Sequence, residues 1–222
     1  MKKITRLQER KNTILSRSYL VYRAFWPVLI DGIQTVISDC RADAPPFLID
    51  VGCGNKPYAD LFKDTSYIGL NYSFEGASPD IVCDAQQLPI KSNCADIVFC
   101  TQVIEHVRYP EKLVSEAFRI LKPHGVLLLT GPFYWPLHEE PYDFYRFTRY
   151  GFQHLLISAG FEVISIRGDA GAVTQAAVAI IEALPRWLVF LIPIINVVTP
   201  LLQSFSKNEK STLNYIVIAK KS

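Results

Sequence analysis

The sequence predicts an α/β fold, a doubly wound, seven-stranded, mostly parallel sheet with helices on both faces. Three observations predict it. Short, nearly continuous apolar runs recur along the chain, longer amphipathic segments separate most of them, and a glycine-rich turn follows the first run. Apolar strands of this kind are buried on both faces, and alternation with helices is typical of parallel neighbours. N-terminal helices and an apolar helical insertion before the last strand complete the predicted architecture.

The elements are predicted in chain order from these patterns. Apolar positions near helical spacing predict helix within residues 1–43, and the Ala-Pro-Pro sequence that follows ends this region. Two further helices are expected at 111–121 and 150–159. Strands are predicted at 47–51, 67–70, 80–83, 96–100, 126–130, 161–166 and 214–219. The chain thus divides into a basic helical arm at 1–44, a core at 45–169, an apolar insertion at 170–212 and a last core strand at 213–222.

Charge is distributed unevenly along the chain. Of its 222 residues half are apolar, and the net charge is only +2, which gives no case for a general nucleic-acid binder. Residues 1–23 contain seven Lys or Arg against Glu9, a charge of +6, so the rest of the chain carries −4. This basic arm indicates contact with a membrane surface or a phosphate-bearing substrate, or it is a solvated helix face.

The five cysteines form no Cys-x-x-Cys pair and have no spacing with histidine that is typical of a metal site. No metal is therefore expected. The odd number of thiols indicates a reducing compartment. The first 17 residues are charged but lack the apolar segment of a signal peptide, so we expect a cytoplasmic protein. Peripheral contact of this protein with the membrane is a further expectation.

Candidate ligand-binding residues follow the predicted strands. Gly52 and Gly54 come directly after the first strand, where they would let the backbone turn tightly and approach a ligand. A dinucleotide fingerprint would need glycine where Pro57 stands. Asn71 and Asp84 end the next two strands. Parallel sheets bind ligands beyond the carboxyl ends of their strands, so these residues are expected at one edge.

Several segments together identify a family resemblance. In chain order they are LIDVGCGNKPY, YIGLNYS, DIVCDAQQLPI, ADIVFCTQVIEHV and LKPHGVLLLTGPF. They resemble the type-11 branch of the class I S-adenosylmethionine-dependent methyltransferases, which have a Rossmann-like fold. The resemblance covers roughly residues 45–167, with the last strand at 213–221. It implies S-adenosylmethionine as cofactor.

The resemblance also implies roles for individual residues. Gly52 and Gly54 would meet the methionine portion of the donor, and Asp50 would orient the loop or the donor's ammonium group. Asn71 stands where the family usually has an acid that grips the ribose hydroxyls, and Lys56 replaces a third family glycine. The remaining implied donor contacts are Asp84 and the Ala85 N–H at the adenine, and Gln102 beside the donor.

Structural alternatives exist for Asp84 and for the pair Glu105-His106, which follows the fourth strand. Asp84 is the kind of residue that forms a turn after a strand. Glu105 and His106 open a helix after the fourth strand, where an acid is favoured by the helix dipole.

The loop after the fifth strand is expected to receive the methyl acceptor. Residues 131–148 contain aromatics, a histidine, three carboxylates and an arginine, and resemble the HEEPxDFYRxT stretch of a bacterial subset of the family. A hydroxyl acceptor needs a general base, for which His138 is the first candidate, with Glu139 or Glu140 orienting it or acting instead. Tyr142 and Arg146 are expected to bind the acceptor, Arg146 through an anionic group. The alternative is that these residues only brace the loop.

The insertion before the last strand is unusually apolar. Residues 187–205 contain no charged side chain and would just span a bilayer core as a helix. A single crossing is excluded if the strands on either side pair in one sheet. Pro193, Asn196 and Pro200 favour a broken, hairpin-like arrangement. The hairpin would either dip into the cytoplasmic leaflet or cap the N-terminal helices, and the basic arm favours membrane-surface association.

The predicted function is methyl transfer from S-adenosylmethionine to a small or lipid-linked acceptor at oxygen, with no nucleic-acid partner. One alternative is a catalytically silent, donor-binding membrane adaptor, to which Asn71 and Lys56 lend support. Another is a nicotinamide-dependent oxidoreductase. Pro57 and the lack of a Tyr-x-x-x-Lys pair argue against that class.

Overall fold

The computed structural model describes residues 13–40, 44–206 and 210–222. Residues 1–12, which carry five of the seven Lys and Arg residues of the first 23, and residues 41–43 of the predicted helical region lie outside these ranges. The described residues form one seven-stranded sheet in the order β3-β2-β1-β4-β5-β7-β6. The strands are β1 Phe47–Val51, β2 Ser66–Asn71, β3 Ile81–Val82, β4 Ala95–Thr101, β5 Leu121–Pro132, β6 Phe161–Gly168 and β7 Asn214–Lys221.

Strand pairing confirms the predicted mostly parallel sheet. The strands from β3 through β2, β1 and β4 to β5 all pair in parallel. Only β7 runs against its neighbours, because it inserts between β5 and β6 and pairs antiparallel with both. Strand order reverses between β1 and β4, which is the position where open α/β sheets bind ligands.

Helices cover both faces of this sheet, as the doubly wound prediction requires. They are α1 Tyr19–Asp39, α2 Pro110–Ile120, α3 Arg149–Ser158, α4 Ala172–Ala183 and α5 Ile192–Ser204. Helix α1 buries one face of the sheet with residues such as Leu29 and Ile33, whereas α2 and α3 bury the other with residues such as Val114 and Phe152.

Local sequence explains where α2 and α3 begin. Pro110 opens α2, a position at which its fixed φ suits the helix and its missing N–H costs no bond. Thr148 caps α3, since its side chain accepts a hydrogen bond from the Gly151 N–H. Because α3 follows directly on the loop after β5, this cap fixes the end of that loop.

The apolar insertion is a helical hairpin of α4 and α5, joined through a 3-10 helix at Arg186–Leu191. The hairpin turns at Leu184-Pro185, and not at the residues that the sequence suggested. Pro193 is tolerated in the first turn of α5, and both Asn196 and Pro200 lie within that helix.

One side of the hairpin packs on the start of the chain. Val178 and Ile181 share a small core with Leu20 and Leu213. The Asn196 side-chain amide donates to the carbonyl oxygens of Ile14 and Ser16 at 2.8 and 2.9 Å. The insertion therefore caps the N-terminal region, as one of the two alternatives predicts, but only with one of its faces.

Asp169 ties together the two ends of the insertion. This buried carboxylate accepts hydrogen bonds from the Thr212 hydroxyl and from the backbone N–H groups of Leu213 and Asn214, at 2.9 to 3.2 Å. The Asn214 side chain donates a further bond at 2.7 Å. Because the chain leaves the sheet and returns to it at this point, the hairpin is anchored on one side of the fold.

Candidate active site

A cleft of about 640 Å³ opens at the carboxyl ends of β1, β2 and β4, at the strand-order reversal. This volume lies in the range usual for small-molecule sites. Most of the residues predicted to bind the donor line it, namely Gly52, Gly54, Asn71, Asp84, Ala85 and Gln102. The sheet edge thus brings together side chains that lie up to 50 residues apart in the sequence.

The loop after β1 requires glycine at position 52. Gly52 has φ +76°, which side chains rarely adopt, and a Cβ there would lie 2.1 Å from Cγ2 of Val103. Its N–H donates to the Leu70 carbonyl at 2.8 Å, which holds the loop against β2. The backbone at Gly54 is also left-handed, with φ +50°, but a Cβ there would meet open space. This loop is a cradle with its backbone exposed to the cleft.

Lys56 takes the place of the third family glycine without blocking the cleft. It adopts a left-handed conformation with φ +52°. Its Nζ pairs with Oδ1 of Asp80 at 2.6 Å, and Oδ2 of the same carboxylate accepts from the Gly69 N–H at 2.7 Å. The lysine side chain therefore lies over the edge of β2 and does not line the cleft. Lys56 in place of the family glycine thus changes contacts within the fold and leaves the donor cleft open.

Asp50 lies beneath the glycine loop and does not line the cleft. Its side chain is 1% exposed and accepts a hydrogen bond from the Tyr67 hydroxyl. Burial raises the pKa of the Asp50 carboxyl to about 7, against the opposing effects of that hydrogen bond and of Lys56. Of its two predicted roles, this position favours orientation of the loop.

The wall after β2 contains an acid that the sequence analysis missed. Asn71 lines the cleft, and its side-chain nitrogen donates to the Ser73 carbonyl at 2.9 Å. Glu75 lines the same wall four residues later. A carboxylate in the short polar loop after the second strand was the available signal. A carboxylate is thus present on this wall although position 71 has none.

Asp84 forms a turn and also lines the cleft, so its structural interpretation as a turn former is compatible with its predicted contact with the donor. Its Oδ1 accepts from the Gln86 N–H at 2.8 Å, which closes the turn after β3, and the carboxylate still lines the cleft. Gln102 is fixed by Thr130, whose hydroxyl oxygen accepts hydrogen bonds from the backbone N–H and from the side-chain Nε2 of Gln102, at 3.1 and 3.0 Å. The contacts of Asp84 and Gln102 with a donor remain predictions.

Arg146 holds the loop after β5 together. Its two side-chain Nη atoms donate to both oxygens of Asp143 at 2.7 Å. Its other three N–H groups donate to the carbonyl oxygens of Trp135, Pro136 and Tyr145. All five donors are therefore engaged within the loop, and the prediction that Arg146 holds an anionic part of the acceptor does not fit this arrangement.

Asp143, and neither Glu139 nor Glu140, orients His138. The backbone N–H of His138 donates to Oδ2 of Asp143 at 3.0 Å, and the ring Nδ1 of His138 lies 3.2 Å from the same oxygen. The Arg146 guanidinium holds the pKa of Asp143 well below its usual range. Glu140 is exposed and does not line the cleft, whereas Glu139 does. Sequence alone could not choose among three nearby acids.

His106, and not His138, forms the wall of the cleft. The His106 and His138 rings meet edge to face with centroids 4.7 Å apart, and His138 stands behind. Nδ1 of His106 lies 2.8 Å from the carbonyl oxygen of Tyr142, a residue that also lines the cleft. Tyr142 is therefore placed as predicted beside the cleft, and its role toward an acceptor remains a prediction.

The comparisons with known proteins show which domain family this part of the chain resembles. Residues 49–129 match the family model described as methyltransferase domain, which covers β1 to β5 and the glycine loop. Over these residues the chain is similar to methyltransferase domains. S-adenosylmethionine is the cofactor of this family, and the cleft size and the backbone cradle at Gly52 fit it.

Curated relatives share this domain over part of their length. The chain is 31% identical over 133 residues to a probable S-adenosylmethionine-dependent methyltransferase of Mycolicibacterium smegmatis, which covers 52% of each protein. It is 27% identical over 139 residues to the tRNA (carboxymethyluridine(34)-5-O)-methyltransferase of Mus musculus, covering 58% of this chain and 20% of that protein. The chain thus spans about half of the length of the first of these relatives and about a fifth of the length of the second.

Solved structures confirm the fold of the methyltransferase domain. A methyltransferase from Archaeoglobus fulgidus superposes with a TM-score of 0.60 at 15% identity, over 97% of this chain and 98% of that one. The [4+2]-cyclase SpnF superposes with a TM-score of 0.56 at 19% identity, over 86% and 80% of the two chains. The name of the second protein shows that this fold also serves another reaction.

Glu105 is the most unusual group beside the donor cleft of the methyltransferase domain. Its side chain is fully buried at 0% exposure, and neither carboxylate oxygen has a hydrogen-bond partner among the described residues. Burial raises the pKa of Glu105 to about 7. Its carbonyl oxygen accepts the Phe144 N–H at 2.9 Å, so the short helix at Ile104–His106 also docks the acceptor loop.

Proposed function

We propose that this protein transfers a methyl group from S-adenosylmethionine to a hydroxyl oxygen of a small or lipid-linked acceptor. One observation carries the proposal: two histidines and a buried carboxylate meet where the donor cleft touches the loop after β5. A site that only binds the donor has no need of proton acceptors at that point.

The chain's own residues would contribute orientation and proton transfer. S-adenosylmethionine supplies an electrophilic methyl group when it is bound. The glycine loop and the walls at Asn71 and Asp84 position the donor, and the aromatic loop after β5 excludes water. The methyl group would pass to the acceptor oxygen, with S-adenosylhomocysteine as the leaving group. The hydroxyl proton passes to the histidine pair.

The hydrogen bonds of the two rings leave one nitrogen of each for that proton. Nδ1 of His106 faces the Tyr142 carbonyl, and Nδ1 of His138 faces Asp143 and the Pro136 carbonyl. In a neutral imidazole the hydrogen is then on Nδ1, and Nε2 is the acceptor. His106 is the nearer acceptor to the cleft, and His138 supports it from behind.

His138→Ala is expected to lower turnover at least 100-fold while the affinity for S-adenosylhomocysteine changes less than twofold, because the ring lies outside the donor cleft. Turnover is measured with isotopically labelled donor, and donor affinity by calorimetry. His154→Ala, which removes an exposed histidine on α3, is the matched control. Unchanged turnover in His138→Ala would remove this residue from the mechanism.

Labelled donor also tests the proposed function itself. Incubation with a membrane extract is expected to label a lipid-soluble or small product, whereas the silent-adaptor alternative predicts donor binding and no product. Total tRNA is a second substrate pool, since the name of the mouse relative specifies tRNA, and labelled tRNA would overturn our expectation of no nucleic-acid partner. Thermal shifts with S-adenosylhomocysteine and not with NAD would exclude the oxidoreductase alternative.

We also propose that the protein contacts the cytoplasmic face of a membrane through its insertion. Within the described residues, Tyr19–Asp39 and Arg186–Ser204 are long and apolar enough to cross a membrane by length and composition. The first is α1, which packs on the sheet, whereas only 17% of the second is buried. Its large exposed apolar side chains are Trp187, Val189, Phe190, Ile194, Val197, Val198, Leu201 and Leu202, followed by Phe205.

The distribution of charge favours a lipid surface as the partner of this face. The face from Trp187 to Phe205 is without charge, and Arg186 precedes it. The start of the chain reaches the same helix, because Asn196 binds the carbonyls of Ile14 and Ser16. Residues 1–12, which carry most of the basic arm, connect directly to this contact in the sequence. Apolar side chains beside basic ones are typical of peripheral contact with anionic lipid.

The double substitution Leu201→Glu and Phe205→Glu is expected to weaken binding to anionic phospholipid vesicles at least 100-fold. These side chains are 62% and 86% exposed, so their contact with lipid is lost while the core is unchanged. Vesicle flotation measures the effect. Ile157→Glu, at an exposed site on α3, controls for added charge. Failure of the wild type to float, or equal flotation of all variants, would contradict the proposal.

A further inference from the structure

We infer that Glu105, His106 and His138 form a binding site for one divalent transition-metal ion beside the donor cleft. One ligand atom from each side chain lies within 4.8 Å of the other two. This departs from the expectation of no metal site, because the ligands come from the short helix at Ile104–His106 and from a loop about 30 residues later, with no recognisable spacing in the sequence. The inference concerns ion binding and holds whether or not methyl transfer to oxygen is the reaction.

Glu105 supplies the main reason to place a cation here. A fully buried carboxylate without a hydrogen-bond partner is costly unless a cation or a proton neutralises it. The side chain faces the ring of His106, whose Nε2 lies 3.8 Å from Oε1 of Glu105. The guanidinium of Arg146 already has five acceptors elsewhere. An ion between Glu105 and the two rings would satisfy these oxygens.

His106 has the orientation of a metal ligand. Its Nδ1 donates to the carbonyl oxygen of Tyr142 at 2.8 Å, which leaves the lone pair on Nε2. Metal-ligating histidines almost always donate their other ring N–H to a carbonyl or carboxylate in this way, since the bond fixes the tautomer and the ring. Nε2 then faces Glu105 on one side and Oε2 of Glu139 on the other, at 3.8 Å each.

His138 shows the same pattern with a carboxylate. Its Nδ1 lies 3.2 Å from Oδ2 of Asp143, and Asp143 is held in turn by two 2.7 Å bonds to Arg146. The arrangement is that of a carboxylate–histidine–metal triad, in which the outer carboxylate orients the ring. Two rings with separate second partners, each with a ligand atom within 4.8 Å of one from the buried Glu105 carboxylate, are a built ligand set.

The chemistry of the ligands selects the ion. Two imidazoles and one carboxylate are typical of Zn²⁺, Fe²⁺ or Mn²⁺ and leave at least one position open, whereas Mg²⁺ and Ca²⁺ prefer oxygen ligands. Ligand atoms around a tetrahedral Zn²⁺ are about 3.4 Å apart, so small side-chain rotations would close the present spacing. Glu139, which lines the cleft, would be the fourth ligand or would face the open position.

An ion at this position would act directly on an acceptor in the cleft. If the proposed function holds, the open position would bind the acceptor hydroxyl and lower its pKa, as metal ions do for bound water. The histidines would then serve as ligands, and the proton would leave to Glu139 or to solvent. Only this consequence rests on methyl transfer to oxygen.

Metal-free full-length protein, prepared by dialysis against chelator, is to be titrated with Co²⁺ and with Mn²⁺ in the absence of donor and acceptor. We expect one equivalent of each to bind, with a Co²⁺ visible spectrum that lacks a thiolate charge-transfer band. Glu105→Gln and His138→Ala are expected to weaken binding at least tenfold. The first keeps the shape of the side chain and the second changes a partly exposed residue, so both should fold. His154→Ala is the matched control and should bind like the wild type.

The outcomes separate ion binding from methyl transfer. Absence of saturable binding in the wild type, equal binding by all variants, or a thiolate band would overturn the metal site and leave the proposed function standing. Saturable binding that depends on Glu105 and His138, in a protein that labels no acceptor, would support the site and count against the proposed function. Circular dichroism of each variant checks that the fold is retained.

Discussion

Gly52→Ala is expected to lower the free energy of unfolding by about 3 kcal/mol. Alanine is strained in a left-handed backbone conformation, and its methyl group has no room at this site. The added methyl would lie 2.1 Å from Cγ2 of Val103, on a backbone with φ +76°. The residue cannot move away easily, because its N–H is bound to the Leu70 carbonyl at 2.8 Å. Urea-induced unfolding measures the loss, and calorimetry with S-adenosylhomocysteine measures the accompanying loss of donor affinity.

Gly54→Ala is the matched control for this prediction. Its φ of +50° is also left-handed, but a Cβ there meets nothing within 4 Å, so we expect a loss of only about 1 kcal/mol. Val103→Ala should restore part of the stability of Gly52→Ala, because it removes the Cγ2 atom that is contacted. Equal losses at the two glycines, with no recovery in the double variant, would show that steric contact with Val103 is not the cause.

The donor half of the site could be predicted from the sequence because local patterns determine it. An apolar strand followed by Gly52 and Gly54 fixes a turn at the sheet edge, and parallel strands bring Asn71 and Asp84 to the same edge. The strand register and the burial of both faces follow from the same apolar runs. The structure was needed to show that Lys56 lies over β2, that Asp50 lies beneath the loop, and that Glu75 joins the cleft wall.

The acceptor half could not be predicted in the same way, because tertiary contacts decide it. Nothing in the sequence distinguishes Asp143 from Glu139 and Glu140 as the partner of His138. In the structure the Asp143 side chain is buried and paired with the half-buried Arg146, which places it beside His138. The burial of Glu105 depends on the loop that its own carbonyl docks. The acceptor role of this loop therefore stays a prediction, and the contacts of Arg146 agree with the alternative that such residues brace the loop.

The helical hairpin is a third case. Its helical, hairpin-like arrangement could be predicted from the sequence, whereas the position of its turn could not. Prolines at 193 and 200 suggested breaks within the second helix, yet the first lies in the opening turn and the second is accommodated within α5. The turn at Leu184-Pro185 is fixed by the packing of Val178, Ile181 and Ile192 against the start of the chain. Which helix face is buried follows from this packing, and it determines which face remains for a membrane.

Asp50→Asn is expected to make the protein more stable at pH 8, by an amount on the order of 4 kcal/mol. Burial raises the pKa of this carboxyl from 3.8 in an exposed setting to about 7 in the folded protein. The folded state thus binds the proton more tightly than the unfolded chain. The stabilising effect of that proton is fully present below pH 3.8 and is lost as pH rises to about 7. Asparagine has no charge to bury, so its advantage should grow over this range.

Urea-induced unfolding of both proteins at several values between pH 4 and pH 8 measures this difference, with the exposed Asp60→Asn as control. A constant difference across that range would contradict the assigned cause. The same variant also distinguishes the two roles predicted for Asp50. Asparagine can still accept the Tyr67 hydroxyl and hold the loop, but it offers no negative charge to the donor's ammonium group. Unchanged affinity for S-adenosylhomocysteine would therefore indicate that Asp50 acts through the loop, and a loss of tenfold or more would indicate that its charge reaches the donor.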